Sequence, residues 1–313
     1  MEFTILLISK LISLMLMAVA GYVLVKCRVL KLEDSKPLSS LTVYFLQPCL
    51  IIRSFQIELT ADRMRSLLVG IVFAFAVHAL WIVLTRVLRK PLRLSAIDRT
   101  SLIYTNAGNL VLPLISMTLG EEYVFYASAY QVAFNILLWS HGQTVIRGEK
   151  GDLPLKKMIL NPNMLSVFIG LALMLARIKI PSVIDTTASG FSSMVGPCSM
   201  LVIGMVITDT DLRKVFGDAR AWFIAVGRLI VLPLTVIVLL FLTGFLRRYP
   251  VYIPVLLAGM FPAAAPSATS VAQMAVLYDR EPLKASIYNV ITLLLCTATM
   301  PFVLWLYRVL FPM

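Results

Sequence analysis

The sequence has few residues of the kinds that catalysis and metal binding need. Of its 313 residues only 14% are charged and two are histidine, and the four cysteines stand singly and far apart, at Cys27, Cys49, Cys198 and Cys296. Isolated cysteines give neither the spacing of a metal site nor a disulfide framework. The apolar stretches also lack His-Glu-x-x-His, Gly-x-Ser-x-Gly and any cluster of carboxylates. We therefore expect no enzyme activity, no metal and no cofactor.

Apolar residues are abundant instead. They make up 59% of the chain, and the mean hydropathy is +0.89. This composition excludes an ordinary soluble protein and predicts a membrane protein. The first 26 residues start acidic and exceed the about 7–15 apolar residues of a signal peptide, so they are interpreted as a retained span.

Ten apolar stretches are long enough to be membrane-spanning helices, at roughly 20 residues per crossing. The connections between them are short, so no appended soluble domain is expected. The spans cover about 3–25, 37–55, 66–86, 100–119, 122–145, 159–178, 187–208, 220–243, 251–278 and 283–311.

The distribution of basic residues predicts the orientation of these spans. If the N-terminus is outside, the inner loops contain 18 Lys and Arg residues and the outer loops with the C-terminus contain 8. Because excess Lys and Arg mark cytoplasmic loops, both termini are predicted outside a plasma or inner membrane. The net charge of +12 then reflects topology, and no nucleic-acid partner is expected.

Two weak internal sequence similarities relate the first half of the chain to the second. Segment 121–132 aligns with 279–290, and 38–49 with 191–198. Since each half contains five spans, an odd number, the second half enters the membrane from the opposite side. The predicted fold is therefore an all-α membrane protein of two inverted five-helix repeats, 1–150 and 155–313.

Spans 4 and 9 contain residues that interrupt a helix. In span 4 we expect the helix to break where Asn106, Gly108 and Asn109 cluster before Pro113. Span 9 is interrupted at Pro262 and Pro266 and continues with polar residues. Paired broken spans are typical of transporter substrate sites near the bilayer midplane, where helix N-termini face anions. The candidate residues in span 9 are Pro262, Pro266, Ser267, Thr269, Ser270 and Gln273.

These motifs resemble the auxin efflux carrier family, which includes bacterial malate and malonate permease-like members. The resemblance spans the chain and is carried by "NAGNLVLPL" in span 4, "NPNMLSVFIGL" in span 6, "LVIGMVITDTDL" in span 7 and "FPAAAPSATSVAQMAVLYDRE" in span 9.

The resemblance implies a fold like that of bile-acid/sodium symporters, with spans 4 and 9 crossing at their breaks. It also implies an elevator mechanism and a homodimer, with spans 3–5 and 8–10 moving against a scaffold of spans 1, 2, 6 and 7. The family's substrate residues correspond to Asn109 and Pro113, and more loosely to Asn106. Span 9 has Ser and Thr around its crossover and no Asn.

Each polar residue in the other spans has two possible roles. Lys10 either snorkels to the membrane surface or compensates a charge. Arg228 lies nearer the membrane centre and must face protein or water. Asp209 and Asp211 are candidate partners only if span 8 returns close to the end of span 7, and the alternative is a structural pair on the loop side. Amides in spans 2, 5 and 10 either bond between helices or bind substrate or ions: Gln47, Gln131, Asn135 and Asn289.

Together these observations predict a secondary active transporter of a small organic anion, such as malate, malonate or an auxin-like indole acid. H+ and Na+ are the candidate coupling ions, and membrane lipid surrounds the chain. The alternatives are an ion-coupled carrier of a lipophilic solute and a channel.

Overall fold

The computed structural model describes residues 2–148, 160, 162–209 and 211–312. These residues form helices and no strand, apart from a single antiparallel bridge between Thr105 and Ser267. The predicted all-helical class is therefore confirmed.

Five helices are long and apolar enough to cross a membrane, which confirms this property for predicted spans 1, 3, 7, 8 and 10. They are Ile8–Lys26, Ala61–Val87, Ser182–Ile207, Ala219–Thr243 and Pro282–Leu310. The remaining predicted spans fall on shorter or interrupted helices, which include Gln47–Ser54, Ala96–Ile103, Glu121–Leu137, Pro162–Leu175 and Ile253–Ala263. That all ten cross the membrane, as two inverted repeats, stays a prediction.

Three wide π-helical turns each lead into a proline. Thr42–Leu46 precedes Pro48, Ala107–Val111 precedes Pro113, and Gly227–Val231 precedes Pro233. The proline ring clashes with the carbonyl four residues earlier and donates no N–H. The helix accommodates this by widening one turn and then continues.

The expected position of the break in span 4 is correct for Asn106 and wrong for Gly108 and Asn109. The helix Ala96–Ile103 is followed by Tyr104 as its C-cap, and the π turn starts at Ala107. Gly108 and Asn109 therefore lie inside that turn. Pro113 produces the π turn, whereas the break itself comprises residues 104–106. In span 9 the break comprises 264–268, because Pro262 is still helical.

The first helix packs closely along Val195–Ile207. A Cβ added to Gly21 would overlap the backbone of Leu201, and one added to Gly204 would overlap the backbone of Ala18. Small residues therefore bring the two backbones into contact, which is a common way for membrane helices to associate.

Charged residues form clusters at two ends of the helical bundle. At one end Arg53 binds Glu121 at 2.6 Å and Asp185 at 2.9 Å. At the other, Asp98 binds Arg220 at 2.7 Å and Lys284 at 3.2 Å. Each cluster joins segments that the charge count predicts on one side of the membrane. The orientation of the two ends stays a prediction.

Candidate functional site

The two broken helices meet at their breaks. The N–H of Asn106 donates to the carbonyl of Pro266 at 2.8 Å, and the N–H of Ala268 donates to the carbonyl of Tyr104 at 3.0 Å. These bonds flank the bridge between Thr105 and Ser267. We call this meeting point the crossover. Because each chain segment is extended for only a few residues, four helix ends converge there.

The side chain of Arg228 holds the two helix ends that arrive at the crossover. It is fully buried, and its guanidinium donates to the carbonyls of Leu102 at 3.1 Å, Ala263 at 3.1 Å and Ala265 at 3.1 Å. A longer bond of 3.3 Å reaches the carbonyl of Pro262. Helix C-termini carry partial negative charge, so a cation is favoured at this position.

The ring of Trp81 completes the surroundings of Arg228. The guanidinium carbon lies 4.7 Å from the ring centroid, and the indole N–H donates to the carbonyl of Leu232 at 3.2 Å. The candidate partners Asp209 and Asp211 were wrong, because the bonds of Arg228 all go to backbone carbonyls of the broken helices. Carbonyl dipoles and an aromatic face stabilise the buried charge without a carboxylate.

Ser267 contributes to the structure of the crossover through all three of its polar groups. Its hydroxyl donates to the carbonyl of Ser101 at 2.8 Å, and its N–H donates to the hydroxyl of Thr292 at 3.1 Å. Its carbonyl accepts from the amide of Asn289 at 2.7 Å. The last helix therefore fixes the second break in position.

Three amide side chains from different helices converge on Gly108, in the turn after the first break. A Cβ added to Gly108 would lie 3.6 Å from the side-chain nitrogens of Gln47, Gln131 and Asn163. All three residues are buried. Amide NH₂ groups are hydrogen-bond donors. They face the helix end at Ala107, where backbone dipoles also favour negative charge.

Two of the buried amides have atoms without a hydrogen-bond partner in the described part of the chain. These atoms are the Oε1 of Gln131 and the Nδ2 of Asn135, which lie one helical turn apart. A buried polar atom without a partner costs about 1–3 kcal/mol. Residues kept at such a cost are candidates for ligand binding.

The structure brings only part of the predicted site together. Asn106, Pro266 and Ser267 lie at the crossover, and Pro113 is buried two residues after the π turn. Asn109 lies within that turn, and its side chain is outside the described residues. In the second broken helix Thr269 and Ser270 are half-buried, and Gln273 is exposed.

The residues predicted to compensate charge lie at different distances from the crossover. Arg228 is at the crossover and Gln47 is beside Gly108, as described above. Lys10 is half-buried on the first helix, one turn before Leu14, which lies beside Gly196 and Pro113 in space. Lys10 is therefore one turn from a contact with the first broken helix.

Sequence reasoning missed Asn163 and Trp81 as neighbours of the site. The segment Asn-Pro-Asn at 161–163 has the pattern of a helix start, and the helix does begin at Pro162, whereas Asn161 is outside the described residues. An amide and an indole within apolar helices were the available signals.

Two cavities lie at opposite ends of the bundle, and neither is lined by crossover residues. One of 360 Å³ is lined by residues that include Ile97, Ile146 and Arg280. One of 420 Å³ is lined by residues that include Phe55, Met174 and Lys179. Within the described residues no three His, Cys, Asp or Glu side chains are placed to share a metal ion.

Long apolar helices and a crossover of two broken helices together define a membrane transport protein. The family model described as "Membrane transport protein" matches residues 6–154 and again 151–304. The chain therefore belongs to this family, to which the auxin efflux carriers belong and whose members are transporters rather than enzymes. A comparison with curated proteins gives no match.

Proposed function

We propose that this protein is a secondary active transporter of a small organic anion and that the anion binds beside the crossover. The observation that carries the proposal is the convergence of the side-chain nitrogens of Gln47, Gln131 and Asn163 around Gly108. These donors come from three helices and meet at the start of a half-helix. Such a site is rich in donors and suits a carboxylate.

The charges around the crossover also favour an anion. Arg228 is fully buried at its centre. Among the described residues the buried carboxylate is Asp98, and it is bound to Arg220 and Lys284 at one end of the bundle. The centre is thus positive through one fixed guanidinium, since the helix N-termini and C-termini that meet there carry opposite partial charges.

The packing of the helices supports an elevator mechanism. The helices fall into two groups by their packing. The first group contains the first helix, Gln47–Ser54, Pro162–Leu175 and Ser182–Ile207. The second group contains Ala61–Val87, Glu121–Leu137, the two broken helices and the last helix. Gly108 lies where the groups meet, since Gln47 and Asn163 belong to the first and Gln131 to the second. Movement of the second group would carry Gly108 and Gln131 across the membrane, past Gln47 and Asn163 of the first group.

The test is uptake of matched pairs into proteoliposomes. Indole-3-acetate is compared with indole-3-acetamide, and malonate with malonamide. We expect at least one carboxylate to be transported at least tenfold faster than its amide, which is about 1.4 kcal/mol. Equal transport of acid and amide in both pairs would remove the anion proposal and favour a lipophilic-solute carrier.

Two alanine variants link transport to the crossover. In Gly108→Ala the methyl makes ordinary contact with the three amides, so the protein should fold while the methyl covers the donors and slows uptake about tenfold. Gly190→Ala is the matched control, because a Cβ there meets nothing within 4 Å. Equal uptake by the two variants would place the substrate elsewhere.

A further inference from the structure

One end of the bundle carries a run of basic residues that the substrate site does not use. Between residues 86 and 99 the chain contains Arg86, Arg89, Lys90, Arg93 and Arg99. The acidic residue in this stretch, Asp98, points away into bonds with Arg220, Lys284 and Tyr288. The positive charge of the run is therefore not neutralised by its own acid.

Three of these arginines lie on neighbouring elements of the fold. Arg86 lies in the last turn of the long helix Ala61–Val87 and Arg89 just after it, and this helix packs against Ala96–Ile103, which carries Arg99. Burial and the positive charges of Arg89 and Arg86 lower the pKa of Arg99. His141 is held by a 2.9 Å bond between its Nδ1 and the hydroxyl of Tyr104, which follows Ala96–Ile103, and the helix Gln143–Arg147 just after His141 packs against Ala96–Ile103. We call these four residues the basic cluster.

The basic cluster has donors available for a ligand. The Nε of Arg99 is buried and has no hydrogen-bond partner among the described residues. Arg86 and Arg89 are exposed, and neither appears in an ion pair of the described structure. Arginines present several N–H donors in a fixed fork, which matches the oxygens of a phosphate. A bound phosphate would remove the repulsion between the three guanidinium groups.

The position of the cluster favours a phosphate that belongs to a lipid headgroup. The helix Ala61–Val87 is long and apolar enough to cross a membrane, and Arg86 lies in its last turn, so the cluster lies where an apolar core gives way to lipid headgroups. Anionic lipids attract basic residues at this depth, and basic pockets between helices bind their headgroups. We propose that Arg86, Arg89, Arg99 and His141 form a binding site for the phosphate of an anionic phospholipid headgroup.

The experiment measures lipid retained by the purified protein in native mass spectrometry. Phosphatidylglycerol is compared with phosphatidylcholine of the same acyl chains, and inorganic phosphate is added as a competitor. We expect phosphatidylglycerol to be retained at least tenfold better than phosphatidylcholine. Resistance to inorganic phosphate supports a lipid headgroup, whereas displacement supports the same site with a soluble phosphate as its ligand.

Substitution tests which residues hold the lipid. Neutralising each arginine should reduce phosphatidylglycerol retention about fivefold, so Arg86→Gln/Arg89→Gln/Arg99→Gln should lose most of it. Because Arg99 is half-buried, the double variant of the exposed Arg86 and Arg89 serves if the triple variant misfolds.

The control removes equal charge from another exposed segment predicted on the same side. It is Arg28→Gln/Lys31→Gln/Lys36→Gln, close in sequence to Glu33 and Asp34. Retention should be unchanged in this control. Equal retention of the two lipids, an unaffected double variant, or an equal loss in the control would overturn the proposal.

Discussion

Arg228 shows how a membrane protein can bury a positive charge without an acidic partner. Its guanidinium bonds to the carbonyls of Leu102, Pro262, Ala263 and Ala265, and so ties both broken helices together. An unpaired charge in this position would be costly. The helix ends supply the compensating negative charge, which makes the arginine a structural centre of the crossover.

Replacing this arginine should destabilise the protein. In Arg228→Met the buried carbonyls of Leu102, Ala263 and Ala265 lose the guanidinium, whereas the carbonyl of Pro262 keeps the N–H of Ala265. We expect the free energy of unfolding to fall by at least about 3 kcal/mol, since each unpaired buried group costs about 1–3 kcal/mol. Chemical denaturation in detergent measures this. Arg213→Met, at an exposed position, should have little effect. Equal stability of the two variants would contradict the assigned role.

Replacing Gln131, unlike replacing Arg228, is expected to weaken substrate binding without loss of stability. Its Oε1 is buried without a partner in the described structure, so Gln131→Leu should leave thermal stability unchanged or higher. The same change removes one of three converging donors and should weaken substrate binding by about 1–3 kcal/mol.

Asn289→Leu is the matched comparison for this variant. It removes the 2.7 Å bond to the carbonyl of Ser267 and should lower the melting temperature. Thermal unfolding and substrate binding are measured on both proteins. If Gln131→Leu lost stability while keeping its affinity, Gln131 would be a structural residue.

The broken helices were predictable from the sequence, but the route of their chains was not. Pro113, Pro262 and the surrounding Asn and Gly residues mark interruptions, because proline removes an N–H and blocks a carbonyl. Whether a helix breaks or widens into a π turn depends on tertiary contacts. Asn106 can leave the helix since Pro266 accepts its N–H, and this partner is 160 residues away in the sequence.

The polar site was only partly predictable for a similar reason. Gln47 and Gln131 were recognised as polar residues within spans, but their convergence on Gly108 follows from the packing of separate helices. Arg228 was recognised as needing a partner. A search for acidic residues missed that partner because backbone carbonyls leave no signal in the amino-acid sequence.

Because Arg228 binds the carbonyls at the helix ends of the crossover, we can predict which ion drives transport. Helix C-termini and unwound carbonyls commonly coordinate Na+ in secondary transporters, but here Arg228 already binds the corresponding carbonyls. We therefore expect uptake in sodium buffer and in choline buffer to agree within about twofold, which favours H+ among the two candidate ions. A tenfold stimulation by sodium would show that a cation site exists elsewhere.

In the whole molecule the two groups of helices touch at several places, which include Gln47–Ser54 against Glu121–Leu137 and the first helix against the last. On the side of the Arg53 cluster, Arg53 of the first group binds Glu121 of the second at 2.6 Å. Near the first broken helix, Gly196 of the first group faces Pro113 and Met117 of the second. An elevator must break such contacts, whereas contacts inside one group must persist. The predicted orientation and homodimer follow from loop charge and resemblance, and both stay predictions.

Cross-linking combined with counterflow measures this movement. In a background without the four native cysteines, Gly196→Cys/Met117→Cys places one thiol in each group, since a Cβ at Gly196 lies 3.6 Å from the sulfur of Met117. Phe45→Cys/Phe191→Cys is the control: Phe45 lies in the turn before Gln47–Ser54, and its ring is 4.8 Å from the ring of Phe191 in the first group. Each pair is joined with a cleavable bifunctional thiol reagent, and counterflow of a labelled carboxylate is recorded in proteoliposomes before cross-linking, after it and after cleavage. We predict that counterflow is saturable, that cross-linking stops it reversibly in the first pair, and that the second pair keeps it. Undiminished flux in the cross-linked first pair, or flux that neither saturates nor responds to substrate on the opposite side, would contradict alternating access and indicate a channel.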